Sequence, residues 1–239
     1  SSKVIISNSI GIHAEPVAEF VIGTILYFFK QLPGAIKFMN TREWSQWELA
    51  KKIVQCTGQT IGIIGYGSIG KAVAKQAKAL GMRVIGIRRL QKKIESKKTI
   101  DELRPMSDLG YLLSNSDVVV VSCPLTPLTK GMLGKKELSL MKRSSYLVNI
   151  SRGEVINEKD LIDILNNNRI AGAALDVFSN EPLDKNSPLF KLENVLLTPH
   201  ISGNFPSYQE HIIDIFGNNL NRFTENKTIK NRVCKKRQY

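Results

Sequence analysis

The segment Thr60-Ile61-Gly62-Ile63-Ile64-Gly65-Tyr66-Gly67-Ser68-Ile69-Gly70 constrains this chain more than any other. An apolar, β-branched run leads straight into G-x-G-x-x-G, and Lys71-Ala72-Val73-Ala74 then opens a helical pattern. That order predicts a strand, a tight turn and a helix. Gly65 permits the turn, Gly67 lets backbone approach a pyrophosphate, and Gly70 lets the helix lie close on the strand. Tyr66, Ser68 and Ile69 complete the loop around the phosphates, and the helix N-terminus supplies free N–H groups and positive potential. The segment predicts a dinucleotide site.

The remaining chain repeats the same alternation. Runs rich in Val and Ile at 60–64, 83–87, 117–122, 145–150, 171–177 and 195–198 read as strands. They lack strict polar alternation, as expected of strands covered on both faces. Residues 68–80, 135–141 and 158–166 read as helices between them. Strand–helix–strand repetition predicts an α/β fold, a Rossmann-type doubly wound parallel sheet. Two helical stretches lie outside the alternation: apolar 14–30, preceded by a short strand-like piece at 3–7, and amphipathic 207–223.

Hydrophobic residues make up 42% of the 239, enough for a core. No apolar run reaches membrane-spanning length, and 20–29 reads as a buried helix. No secretory signal is expected at the start. The three cysteines, Cys56, Cys123 and Cys234, lack C-x-x-C spacing. This argues against a disulfide framework or a metal site and fits a reducing cytoplasm. The net charge of +13 reads as a Lys- and Asn-rich bias with solvated charges rather than as a nucleic-acid footprint. Neither a nucleic-acid nor a membrane partner is expected.

Cofactor type is decided about twenty residues after the glycine turn, where NAD sites usually carry Asp or Glu for the ribose hydroxyls. The second strand ends Ile87-Arg88-Arg89, and no acid occurs from Leu49 through Ile94. Arginine suits bidentate binding of a phosphate. The basic cluster at 88–98 thus reads as a pocket for a 2′-phosphate, with a solvated basic loop as the alternative. NADP(H) is the preferred cofactor, and NAD(H) stays open.

Of the three histidines, His13 sits near the start of the first helix and His211 lies within the last. Both read as structural or exposed. His200 stands in Thr198-Pro199-His200-Ile201-Ser202-Gly203, directly after a strand, where open α/β sheets place ligands. Its position favours a chemical role.

Five stretches together resemble the D-isomer specific 2-hydroxyacid dehydrogenase family: T-I-G-I-I-G-Y-G-S-I-G, C-P-L-T-P-L-T, L-V-N-I-S-R-G, A-G-A-A-L-D-V-F-S-N-E-P-L and N-V-L-L-T-P-H-I-S-G. The resemblance covers most of the middle of the chain and implies roles for matching residues. Arg152 would bind the substrate carboxylate and carbonyl. His200 would be the general acid in reduction and the general base in oxidation. Glu181 would bond the far nitrogen of His200, favouring the imidazolium and fixing the ring. Asp176 would contact the nicotinamide amide. Cys123, Pro124, Thr129, Ile150, Ser151 and Gly203 would line the cofactor groove.

The resemblance also implies a split substrate domain. Residues 1–12 match the end of its larger first part, 13–203 the dinucleotide-binding catalytic domain, and 204–239 the returning tail. Only remnants of the second, smaller domain are then in the chain, and its turnover alone is expected to be poor. Residues 40–53, with Trp44 and Trp47, resemble the family's dimer arm, although those aromatics fit a core equally well. The implied activity is hydride transfer between NADP(H) and a small 2-keto or 2-hydroxy acid of the glyoxylate or hydroxypyruvate type, by a homodimer. The alternatives are an NAD-linked enzyme similar to phosphoglycerate dehydrogenase and a dinucleotide-sensing corepressor-like protein.

Overall fold

The computed structural model describes residues 4–234. Its first helix, α1 (Ala14–Phe29), buries Val17, Ala18, Val21, Ile25, Phe28 and Phe29. That three- and four-residue spacing puts them on one face. The apolar segment 20–29 lies inside this helix, as its sequence indicates. α2 (Leu32–Thr41) and α3 (Gln46–Ala50) follow and bury none of their residues. Trp44 and Trp47 are 77% and 74% exposed, which removes the core placement for them.

The sheet then begins with β1 (Thr60–Ile64), α4 (Ser68–Ala79) and β2 (Arg83–Ile87). Next come β3 (Glu95–Lys97), β4 (Ile100–Arg104), α5 (Leu109–Asn115) and β5 (Val118–Val121). The chain continues through α6 (Lys135–Leu138), β6 (Tyr146–Asn149), α7 (Glu158–Asn166), β7 (Gly172–Leu175) and β8 (Val195–Leu197), and ends in α8 (Tyr208–Thr224). The strand order is β3-β4-β2-β1-β5-β6-β7-β8, parallel throughout except for β3 at one edge. This is the doubly wound arrangement that the alternating apolar runs predict.

Each central strand feeds two cores. Ile61, Ile63, Val118 and Val120 join α1 and α4 on one face. Ile64, Val119 and Val121 join Leu112, Leu113, Leu138, Leu161 and Ile164 on the other. Every residue of β1 and β5 is buried, hence their unbroken apolar character. The order reverses between β1 and β5, so the loops after these strands diverge and leave a crevice.

All six strands expected from the sequence form, four of them one to three residues shorter. β3, β4 and α5 were not expected. In β4 the sequence Ile-Asp-Glu-Leu-Arg hides a strand behind its charges. Asp101 accepts the N–H of Val84 at 2.7 Å and pairs with Lys78 at 2.9 Å, while Glu102 pairs with Arg83 and Arg104. Ile100 and Leu103 alone reach the core. Of the strand-like piece at 3–7, Lys3 lies outside the described residues. Residues 4–6 form no strand, and Ser7 makes an isolated antiparallel bridge to Arg232. Ser7 and Arg232 therefore meet beside α8. No helix among the described residues is long and apolar enough to cross a membrane.

Ile63 is fully buried at the centre of the sheet, beneath the first turn of α4. Replacing Ile63 with Ala should cost about 3 kcal/mol of stability. Urea denaturation would read this as a lower midpoint at unchanged slope.

Candidate active site

The glycine turn closes against the neighbouring strand's loop. Gly65 has φ +104°, and a Cβ there would lie 2.6 Å from the backbone nitrogen of Cys123. Only glycine allows β1 and β5 to emerge this close. The Ser122 hydroxyl donates to the Gly65 carbonyl at 2.9 Å and ties the two loops together. A Cβ on Gly67, in contrast, would meet nothing within 4 Å. That open space, before the N-terminus of twelve-residue α4, fits the pyrophosphate the motif predicts. Ser68 and Ile69 open that helix, and a Cβ on Gly70 would collide with the Gly65 carbonyl.

Beside this turn lies a cleft of about 330 Å³, lined among others by Gly65, Tyr66, Gly67, Arg88, Arg89 and Cys123. Leu90, Met106, Pro124, Thr126 and Thr129 also line it. The cleft carries two arginines and no carboxylate among its lining residues. Glu95 is the first acid after the glycine turn. It pairs with Lys97 at 3.0 Å on β3 and feels the charge of Arg88, which helps to hold it below the usual carboxylate range. Tyr66 is buried, with its hydroxyl 3.0 Å from Thr99 Oγ1. Thr129 donates to the Pro124 carbonyl at 2.7 Å and so shapes the wall. Burial pushes the Cys123 thiol up to about 11, so it stays a neutral, inert wall. Sequence reasoning missed Ser122, Thr126, Leu90 and Met106. Met106 arrives through the connection after β4, a strand that could not be seen in the sequence.

A second constellation follows β6, β7 and β8. Arg152 is exposed after β6, and its Nη1 donates to the Ser151 carbonyl at 2.6 Å. Ile150 and Ser151 are buried at the strand end, where Asn149 Oδ1 accepts the Ser151 N–H. His200 Nδ1 lies 2.7 Å from Glu181 Oε2. The other oxygen of Glu181 accepts the Phe178 N–H at 3.0 Å. Burial opposes ionisation of Glu181. Hydrogen bonds from His200 and Phe178, with the charge of Arg152 nearby, outweigh it and hold the carboxyl below its usual range. An ionised carboxylate only accepts, so Nδ1 must carry a proton. Nε2 is then the nitrogen that can take up or release one.

The loops bearing these groups are pressed together. A Cβ on Gly153 would collide with the Phe178 carbonyl and the Ser179 nitrogen, so the turn after Arg152 lies directly on the strand-end segment that leads to Glu181. Glu158 Oε2 also accepts the Ser179 N–H, at 3.1 Å. An apolar pocket of about 760 Å³, lined by Phe178, Pro182, Leu183, Phe190 and Leu197, opens at the Glu181–His200 pair.

Asp176 is fully buried, directly after β7. Its Oδ1 accepts Thr198 Oγ1 at 2.6 Å and the Ile201 N–H at 2.9 Å, and its Oδ2 accepts the Ser202 N–H at 2.9 Å. The Gly203 carbonyl accepts His13 Nδ1 at 2.9 Å. His13 also packs its ring against Tyr208, and His211 Nδ1 donates to the Ser207 carbonyl. Both histidines make structural contacts, as read from the sequence.

The family model described as "D-isomer specific 2-hydroxyacid dehydrogenase, NAD binding domain" matches residues 22–202. The chain belongs to this family. It is 37% identical over 225 residues to a glyoxylate reductase of Thermococcus gammatolerans, covering 92% of this chain and 66% of that protein. It is 41% identical over 200 residues to the D-3-phosphoglycerate dehydrogenase of Escherichia coli, covering 82% of this chain and 47% of that protein. The chain thus spans between about half and two thirds of these curated relatives. Among solved structures, a family member from Xanthobacter autotrophicus in complex with NADPH and MES superposes with a TM-score of 0.88 at 28% identity, covering 100% of this chain and 95% of that one.

The depressed Glu181 carboxyl links this site to acid stability. A group whose pKa is lowered by folding stabilises above its unfolded value of about 4.3, and that contribution is lost as pH falls through the folded value. Glu181→Gln should therefore be less stable than wild type at pH 6, and the two unfolding curves should converge below about pH 4. Parallel curves at every pH would contradict the ionised pair.

Proposed function

We propose that this chain is the cofactor-binding and catalytic part of an NADP(H)-dependent reductase of a small 2-keto acid, of the glyoxylate or hydroxypyruvate type. The observation that carries the reading is the Glu181–His200 pair at 2.7 Å, beyond the strand ends and beside the exposed Arg152. The acid-free, arginine-bearing cleft supports the cofactor preference.

The site residues fit a nicotinamide dinucleotide. The open side of Gly67 and the α4 N-terminus would receive the pyrophosphate, and Arg88 and Arg89 would hold a 2′-phosphate. When bound, the reduced cofactor supplies the hydride that the keto carbon accepts. Arg152 would grip the substrate carboxylate through its guanidinium and polarise the carbonyl. His200 would deliver the Nε2 proton to the carbonyl oxygen as the C–H bond forms, leaving a 2-hydroxy acid and a neutral imidazole. Glu181 would keep the proton on Nδ1, so that Nε2 is the only exchanging nitrogen. Run backwards, the same atoms remove the hydroxyl proton as the hydride leaves.

The domain layout is part of this proposal: 13–203 as the cofactor domain, with 1–12 and 204–239 as pieces of a substrate domain. Support comes from α8, where Ile213, Phe216, Leu220 and Phe223 repeat at helical spacing yet stand exposed. Such a stripe fits a surface that further chain covers. The exposed Trp44 and Trp47 support a homodimer built through 40–53 in the same way. A second reading, an NAD-linked dehydrogenase, is favoured by the 41% identity to phosphoglycerate dehydrogenase, against the absence of a carboxylate from the cleft.

Fluorescence titration of the chain with NADPH and NADH separates the two readings. Tighter binding of NADPH is expected, and Arg88→Ala with Arg89→Ala should weaken it at least tenfold while leaving NADH nearly unchanged. Equal or better NADH binding would favour the NAD-linked reading. In the full-length protein, His200→Gln should lower glyoxylate reduction by at least about a hundredfold with NADPH affinity retained.

A further inference from the structure

A buried carboxylate without a cation beside it is costly unless hydrogen bonds satisfy it. Asp176 is such a group: it has no exposed surface, and its three side-chain partners among the described residues are neutral donors. Those donors belong to one short turn, and they flank one residue. Thr198 Oγ1 stands two positions before His200, and the N–H groups of Ile201 and Ser202 stand one and two positions after it.

His200 needs this restraint. Its φ is +55°, the left-handed region that costs a non-glycine residue about 1 kcal/mol or more. Such a conformation persists only where the surroundings over-determine it. His200 is itself exposed, so packing does not hold it. The anchor lies at the other end of the hydrogen bonds. Asp176 directly follows β7, and its N–H donates to the Asn149 carbonyl at 3.1 Å, while the Thr198 N–H donates to the Leu175 carbonyl at 3.0 Å. One carboxylate thus transmits the fixed position of the sheet to both sides of an exposed, strained residue.

We propose that Asp176, acting through Thr198 and the N–H groups of Ile201 and Ser202, is the positioning residue that locks His200 in its left-handed conformation and aims its imidazole at Glu181. The consequence for reactivity rests on the reading of His200 as the proton carrier; the geometric lock does not. Rotation of residue 200 toward the right-handed region would pull the Ile201 and Ser202 N–H groups off the carboxylate. Nδ1 would then leave Glu181, and either ring nitrogen could carry the proton. A contact with the cofactor, by contrast, would make cofactor affinity the quantity that Asp176 controls.

The test uses Thr198→Val, which keeps the shape and deletes the hydroxyl, with Thr198→Ser as the conservative rescue and Asp176→Asn as the stronger lesion. In the full-length protein, Thr198→Val should lower kcat for NADPH-dependent glyoxylate reduction about tenfold, with NADPH affinity unchanged and Thr198→Ser close to wild type. Asp176→Asn should lower kcat further. In the present chain, imidazole ¹⁵N NMR of His200 should show a single tautomer protonated at Nδ1 in wild type and Thr198→Ser, and a mixture in Thr198→Val. Should Asp176→Asn fail to fold, Thr198→Val carries the test alone. The proposal is overturned if Thr198→Val keeps both kcat and the wild-type ¹⁵N pattern, or if NADPH affinity falls in step with kcat. If the wild-type protein does not reduce glyoxylate, the proposed substrate class fails, and the NMR comparison still decides the lock.

Discussion

The contact between Gly65 and the backbone of Ser122–Cys123 is the constraint on which the rest depends. Parallel strands β1 and β5 run side by side, and their chains leave in opposite directions. The crevice between them stays narrow because no side chain stands at position 65. Everything placed along the carboxyl edge is measured from that seam: the open side of Gly67, the start of α4, and the wall made by Cys123, Pro124 and Thr129. A β-carbon at 65 would separate the loops and displace both halves of the cleft at once.

Charge then divides the edge into two regions. On the β2 side, Arg88 and Arg89 face a cleft without a carboxylate, while nearby acids are engaged elsewhere, Glu102 with Arg83 and Arg104, and Glu95 with Lys97. On the β7–β8 side, two carboxylates lie close in the fold in different surroundings. Glu181 is partly exposed and meets a titratable partner. Asp176 is sealed in and, among the described residues, meets neutral donors. Environment rather than residue type separates the two, since only the carboxylate at the surface reaches an ionisable side chain.

Much of this was legible in the sequence. β1 and β5 are buried on both faces, and their unbroken Val and Ile runs report that directly. The glycine turn and the strand-end position of His200 are local patterns and survive into the fold. β4 was not legible because Asp101 and Glu102 are spent on partners in α4, β2 and its own strand, so its charges look like a solvated loop. The surroundings of Asp176 were hidden for a similar reason. Its partners lie more than twenty residues away in sequence, and no spacing rule connects an acid after one strand with N–H groups after the next. The exposure of Trp44 and Trp47 could not be read either, because apolar composition alone does not separate a core from a face awaiting a partner.

Gly153 carries a consequence for how such a site can change over generations. The peptide after Phe178 rests on its backbone with no room for even a methyl group. The segment bearing Arg152 and the segment bearing Glu181 are therefore not separate inventions that drift at their own pace. A side chain gained at 153, or a residue inserted near 178, has to be answered by the other loop in the same step. Variation in the family of sequences that could carry this geometry is thereby pushed outward, to the cleft rim and the helix faces, where a single substitution can be accepted without a simultaneous second one.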